Sequence, residues 1–81
     1  MLLLSQNGTD LVEAVHVYIS EELRNNKKVY ALLARYGGKT FLTDNGVYIG
    51  EYDTWERALA ELEAIAAFYK YNSTQTPYRI R

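Results

Sequence analysis

Apolar positions recur at steps of three and four in only one long stretch of the chain. Trp55, Ala58, Leu59, Leu62, Ile65, Ala66 and Tyr69 share one face of a 3.6-residue period, with Glu56, Arg57, Glu61, Glu63 and Lys70 opposite. The spacing predicts one amphipathic helix over residues 54–70. Asp53 and Thr54 both suit its N-cap, and Asp53 with Glu56 three residues on has capping-box spacing. Glu56 stands early and Lys70 late, as the helix dipole favours. Five alanines within residues 58–67 add propensity. Asn72-Ser73-Thr74 breaks the pattern, and Pro77 bars its return.

Upstream the period shortens to two. Residues 2–5 read as a short strand before an Asn7-Gly8 turn, and Leu11-Val12 as a second short strand. Val15, Val17 and Ile19 then alternate with His16, Tyr18 and Ser20. Residues 20–28 lose the alternation around Asn25-Asn26. They read as a long hairpin loop, with a single helical turn as the alternative. Residues 28–36, 39–43 and 47–52 are further strands, punctuated by Gly37-Gly38 and Asn45-Gly46. Tyr78-Arg79-Ile80 is extended. The fold class is α+β: one domain over residues 1–81, an antiparallel meander of about four or five strands (residues 2–52) packed on one C-terminal helix. The two layers are followed by a short extended tail over residues 71–81.

A single helix covers one face of such a sheet. Val15, Val17, Ile19, Val29, Ala31, Leu33, Val47 and Ile49 are its expected seat. The other face then carries His16, Tyr18, Tyr30, Leu32, Ala34, Tyr36 and Tyr48, which is more apolar than a wetted face usually is. Tyr18, Tyr30, Leu32, Tyr36 and Tyr48 are therefore the expected interface, either sheet against sheet in a homo-oligomer or with another protein. The plainer account is that tyrosine suits strands and stands singly on a wet surface.

Composition sharpens that picture. Tyr occurs 8 times against 2 Phe and 1 Trp; it is favoured where one side of a ring is packed and the other is wet. A net charge of −1 gives no basic excess for nucleic acid, and there is no cysteine. Met1-Leu2-Leu3-Leu4 is too short for a signal h-region, and no apolar run approaches a membrane span, so a cytoplasmic chain is the default. His16 is the only histidine and has no nucleophile or carboxylate cluster beside it, so no catalytic role is assigned. Glu21-Glu22 and Glu61/Glu63 lack ligand spacing, so neither metal nor cofactor is expected. Gly37-Gly38-Lys39-Thr40 lacks the first glycine of a phosphate loop, since position 33 is Leu. His16, Arg24, Arg35 and Lys39, near strand tyrosines, form a possible site for a nucleotide-like anion; the alternative is a solvated charged rim.

Gly50, Tyr52, Thr54, Glu56, Arg57 and Ala58 spell a Gly-x-Tyr-x-Thr-x-Glu-Arg-Ala entry into the helix. This motif, with the N-terminal Leu3-Leu4-Ser5-Gln6-Asn7-Gly8 and the ending Pro77-Tyr78-Arg79-Ile80, resembles small phage- and prophage-associated proteins of low-GC Gram-positive bacteria. Trp55 departs from that pattern, in which an acidic residue is common. The resemblance implies a mobile-element setting and action by binding, either to a host protein or to a small signalling molecule. The function expected is a non-enzymatic, homo-oligomeric interaction protein; the alternative is a nucleotide-like ligand binder with its site at the oligomer interface.

Overall fold

The computed structural model describes residues 1–37 and 46–81. Its elements run β1 (Leu2–Leu4), β2 (Leu11–Arg24), β3 (Lys27–Tyr36), β4 (Gly46–Tyr52), α1 (Trp55–Tyr71) and β5 (Pro77–Arg79). They form one sheet in the order β4-β3-β2-β1-β5 with the helix packed on it, the α+β arrangement that the patterning predicts. The sheet is mixed, because α1 carries the chain across before β5 joins β1 in parallel. The strand expected over residues 39–43, and Lys39 and Leu42 with it, lie outside the described residues.

The β2–β3 hairpin corrects the reading of residues 20–28. Both strands continue to a two-residue turn, Asn25-Asn26, with φ of 53° and 64°. Two successive left-handed residues give the type I′ arrangement, whose twist matches that of the flanking strands, and Asn tolerates that region better than other side-chain-bearing residues. The turn sets the register: Val17 faces Ala34, Ile19 faces Leu32 and Glu21 faces Tyr30. Cross-strand partners share a face, so Tyr30, Leu32 and Ala34 belong to the helix side with Val17 and Ile19. Ala31 and Leu33 belong to the outer side. The sequence reading had these two sets reversed.

A bulge between Ala14 and His16 makes a second correction. Before it Val12 and Ala14 point into the core; after it Val17 and Ile19 do. Val15 is the extra residue and is 69% exposed. The change of parity explains why one continuous strand reads as two. A similar irregularity sets Leu32 opposite Gly50 but Leu33 opposite Tyr48, which turns Ile49 and Tyr52 inward together.

Thr54 caps α1, its side chain accepting from the Arg57 amide, while Asp53 pairs with the Arg57 guanidinium instead of forming a capping box with Glu56. The helix is rotated from the expected stripe. Ala58, Glu61 and Ile65 are buried, whereas Trp55 is 47% exposed. Glu61 turns inward to hold the end of the chain: its carboxylate accepts from Tyr78 Oη at 3.0 Å and from the Arg81 amide at 2.8 Å. Tyr52 Oη and Gln6 Nε2 both donate to the Arg81 carbonyl, and Tyr69 Oη donates to the Leu2 and Thr76 carbonyls.

Gln6 also draws the sheet round. Its amide donates to the Ile49 carbonyl at 2.7 Å, and its side-chain carbonyl accepts from the Glu51 amide at 2.9 Å. The turn after β1 is thereby bonded across to edge strand β4, so the sheet curls back on itself as barrels do. Leu3, Leu32, Ile49 and Ile80 are fully buried where the curled sheet meets the helix.

Candidate functional site

The outer face of the sheet holds the most organised constellation outside the core. Register places Tyr18 of β2, Leu33 of β3 and Tyr48 of β4 in one row across three strands. Neighbouring strands lie about 4.8 Å apart, so the two rings flank Leu33 and cover it without help from the helix. An arginine stacks on each ring: Arg35 lies 5.1 Å from the Tyr18 centroid, and Arg24 lies 5.2 Å from that of Tyr48. His16, the cross-strand partner of Arg35, stacks on Tyr18 at 5.4 Å and 21°.

At one end of the row Tyr48 Oη donates to Glu22 at 2.7 Å, Arg24 donates to Glu22 at 3.0 Å, and Arg24 also pairs with Glu51. The Tyr48 hydroxyl, with the Arg24 guanidinium behind it, holds the Glu22 carboxyl below its ordinary range. The same hydrogen bond raises the Tyr48 phenol. Two carboxylates against one guanidinium leave this end negative. It borders a polar cleft of about 260 Å³ that includes Ser5, Gln6 and Gly50. The other end holds His16, Tyr18 and Arg35.

The expected interface residues therefore do not share a face. Tyr18 and Tyr48 are on the outer face. Leu32 is in the core, and Tyr30 packs edge-on to Trp55 at 6.2 Å on the helix side. Tyr36 lies opposite Ala14 at the far end of β3. Of the possible anion ligands, His16 and Arg35 are together, whereas Arg24 is held between Glu22 and Glu51. Leu33, Glu22 and Glu51 complete the face; the sequence reading set Leu33 under the helix and gave neither glutamate a part in this face. Their signal was available only through register: given Asn25-Asn26 as a two-residue turn, Leu33 falls between Tyr18 and Tyr48.

A second feature lies at the start of β2. Leu11, Val12, Val15, Tyr36 and Val47 line an open groove of about 630 Å³, rimmed by Asp10 and Glu13. Among the described residues no three potential metal-ligating side chains gather, and no helix is long and apolar enough to cross a membrane. Comparison with protein-family models, with curated proteins and with solved structures finds no match to this chain.

Proposed function

We propose that this chain is a non-enzymatic interaction module that binds a protein partner through the outer face of its sheet. The observation that carries this reading is the Arg35–Tyr18–Leu33–Tyr48–Arg24 row. Tyr and Arg are the residues most enriched where binding energy concentrates. Stacking fixes these side chains before any partner arrives, so less rotamer entropy is lost on binding. The likeness of the Gly50-to-Ala58 motif to small phage-associated proteins suggests a host protein as the partner class.

The test is capture from a host extract, followed by affinity measurement with the purified partner. Tyr18→Ala with Tyr48→Ala should weaken binding at least about thirtyfold while the double variant still unfolds in one cooperative transition. A partner held equally well by the double variant sinks the proposal.

One observation favours the alternative, a nucleotide-like ligand. His16 and Tyr18 form a stacking surface with Arg35 beside it. Arg24 adds little to such a site, since Glu22 and Glu51 already neutralise it. A ligand at 100 times its dissociation constant stabilises the fold by about 2.7 kcal/mol. Thermal shift against a nucleotide panel, cyclic ones included, reads that directly.

A further inference from the structure

The two sides of β2 are not equally paired. Along one, the strand is laddered to β3 from Ala14 to Arg24. Along the other, β1 covers only Leu11, Val12 and Glu13, and Met1 exchanges two main-chain bonds with Ala14. The rest of that side, from the bulge at Val15 to Arg24, is an open edge. Which residues present it follows from the turn. A two-residue loop bonds the Arg24 carbonyl to the Lys27 amide, and antiparallel bonding alternates from there. Tyr18, Ser20 and Glu22 therefore turn their main-chain groups to β3, and Val17, Ile19, Glu21 and Leu23 turn theirs outward. Among the described residues nothing bonds to those four on the open side. The outer edges of the sheet are guarded by contrast: Gln6 bonds to β4 at Ile49 and Glu51, and Pro77 in β5 has no N–H to offer.

We propose that this edge pairs with the same edge of a second copy, antiparallel about a two-fold axis at Ser20, so that two sheets become one. An extended strand is the occupant whose main-chain groups match an open edge, and register singles out the second copy. Centred on Ser20, Val17 faces Leu23 of the second copy, Ile19 faces Glu21, Tyr18 faces Glu22 and His16 faces Arg24. The outward groups of Val17, Ile19, Glu21 and Leu23 are then all met, by about eight main-chain bonds. Leu23, 73% exposed in one copy, gains an apolar neighbour. No two carboxylates and no two guanidinium groups meet, although Glu21, Glu22 and Arg24 all lie along the edge. The neighbouring registers fail. Centred one residue nearer the turn, Glu21 faces itself, and one further on Glu22 does, with like charges directly opposed. Centred one residue nearer the bulge, Arg24 arrives opposite Ala14, whose outward groups Met1 already holds. The register free of both faults also uses the open length in full. The contact is isologous, so it closes as a dimer, and it does not require the outer-face row to bind anything.

Sedimentation velocity of the full chain over a wide concentration range is the first measurement, and the expected species is a dimer that grows no further. Glu21→Pro removes an outward N–H and touches no bond to β3. It should weaken dimerisation about thirtyfold while still unfolding in one cooperative transition. A cross-link reads the register independently of that variant. The chain has no cysteine, and Ser20 would meet itself as a non-hydrogen-bonded pair, with Cα atoms about 4.5 Å apart and within disulfide reach. Ser20→Cys should convert to a disulfide-linked dimer under mild oxidation. Glu22→Cys alone should not, whereas a mixture of Glu22→Cys with Tyr18→Cys should. A wild-type chain that is monomeric throughout overturns the proposal and leaves the edge to a foreign extended segment. So does a dimer that Ser20→Cys fails to cross-link, or one that Glu21→Pro leaves at full strength. Tyr48→Ala, two strands from the seam, should weaken capture of a protein partner but not the dimer, which separates failure of this contact from failure of the outer face.

Discussion

Five of the eight tyrosines of this chain fall into two groups that do opposite things. Tyr52, Tyr69 and Tyr78 face the helix side and give their hydroxyls to backbone carbonyls or to Glu61, tying the chain's last residues to the core. Tyr18 and Tyr48 lie on the outer face, stacked under arginines and wet on one side. Both groups rest on apolar neighbours, and both are ordered by polar contacts. What separates them is what they meet: acceptors at or near the core for the first group, and a stacked guanidinium with solvent beyond for the rings of the second. Abundance of tyrosine therefore does not by itself mark a binding surface, and of these two groups the second leaves surface for a partner.

The sharpest way to break this contrast is to compare Leu32 with Tyr48. The patterning assigns both to one exposed patch, whereas the structure buries Leu32 completely and leaves Tyr48 51% exposed. Leu32→Ala should cost about 3 kcal/mol, from lost burial and the cavity left behind. Tyr48→Ala should cost under about 1 kcal/mol. Urea unfolding with an unchanged slope reads both. Equal losses would mean that the two side chains share one environment, and the division into inner and outer groups would fall.

Alkaline pH probes the inner group alone. Burial, and then the negative charges of Glu61 and Tyr78, push the Tyr52 phenol up from 10.0 to about 12. Below pH 10 the phenol is protonated in both states and contributes no pH dependence. Between pH 10 and 12 the unfolded chain releases a proton that the folded chain keeps, so stability falls as pH rises, by about 2–3 kcal/mol at this one group. Burial raises the Tyr78 phenol as well, which adds to the decline. Tyr52→Phe should flatten the pH 10–12 decline by that amount. A variant with the wild-type slope would show that Tyr52 ionises as freely in the fold as in the unfolded chain.

The sequence carried the fold class, the helix ends and most strand positions, because 3.6-residue and two-residue periods are properties of neighbouring residues. Register is not. Residues 31–34, Ala-Leu-Leu-Ala, are apolar in either phase, so alternation cannot say which pair faces the helix. A residue like Val15, which shifts the phase of everything after it, looks like any other valine. Glu61 misled for a similar reason. On a helical wheel a carboxylate belongs outside, and only the return of Tyr78 and Arg81 to the same place makes a buried one tolerable. The outer row depended on register too, so its existence was legible but its membership was not.

That dependence gives the smallest and most local prediction. The faces of β3 are set by the Asn25-Asn26 turn, where both residues hold positive φ. Asn bears this region at some cost, whereas glycine enters it freely. Asn26→Gly should therefore stabilise the hairpin, offset in part by the greater freedom glycine has when unfolded, for a net gain of about 0.5 kcal/mol. Asn26→Val should lose about 1 kcal/mol or more, since a β-branched side chain clashes at positive φ. Neither substitution touches Leu32, Leu33 or a tyrosine. If the turn alone fixes which leucine is buried, both variants should keep the wild-type contrast between Leu32→Ala and Tyr48→Ala. A contrast that shrinks in the valine variant would mean that the register has slipped with the turn, carrying Leu33 toward the core and Leu32 out.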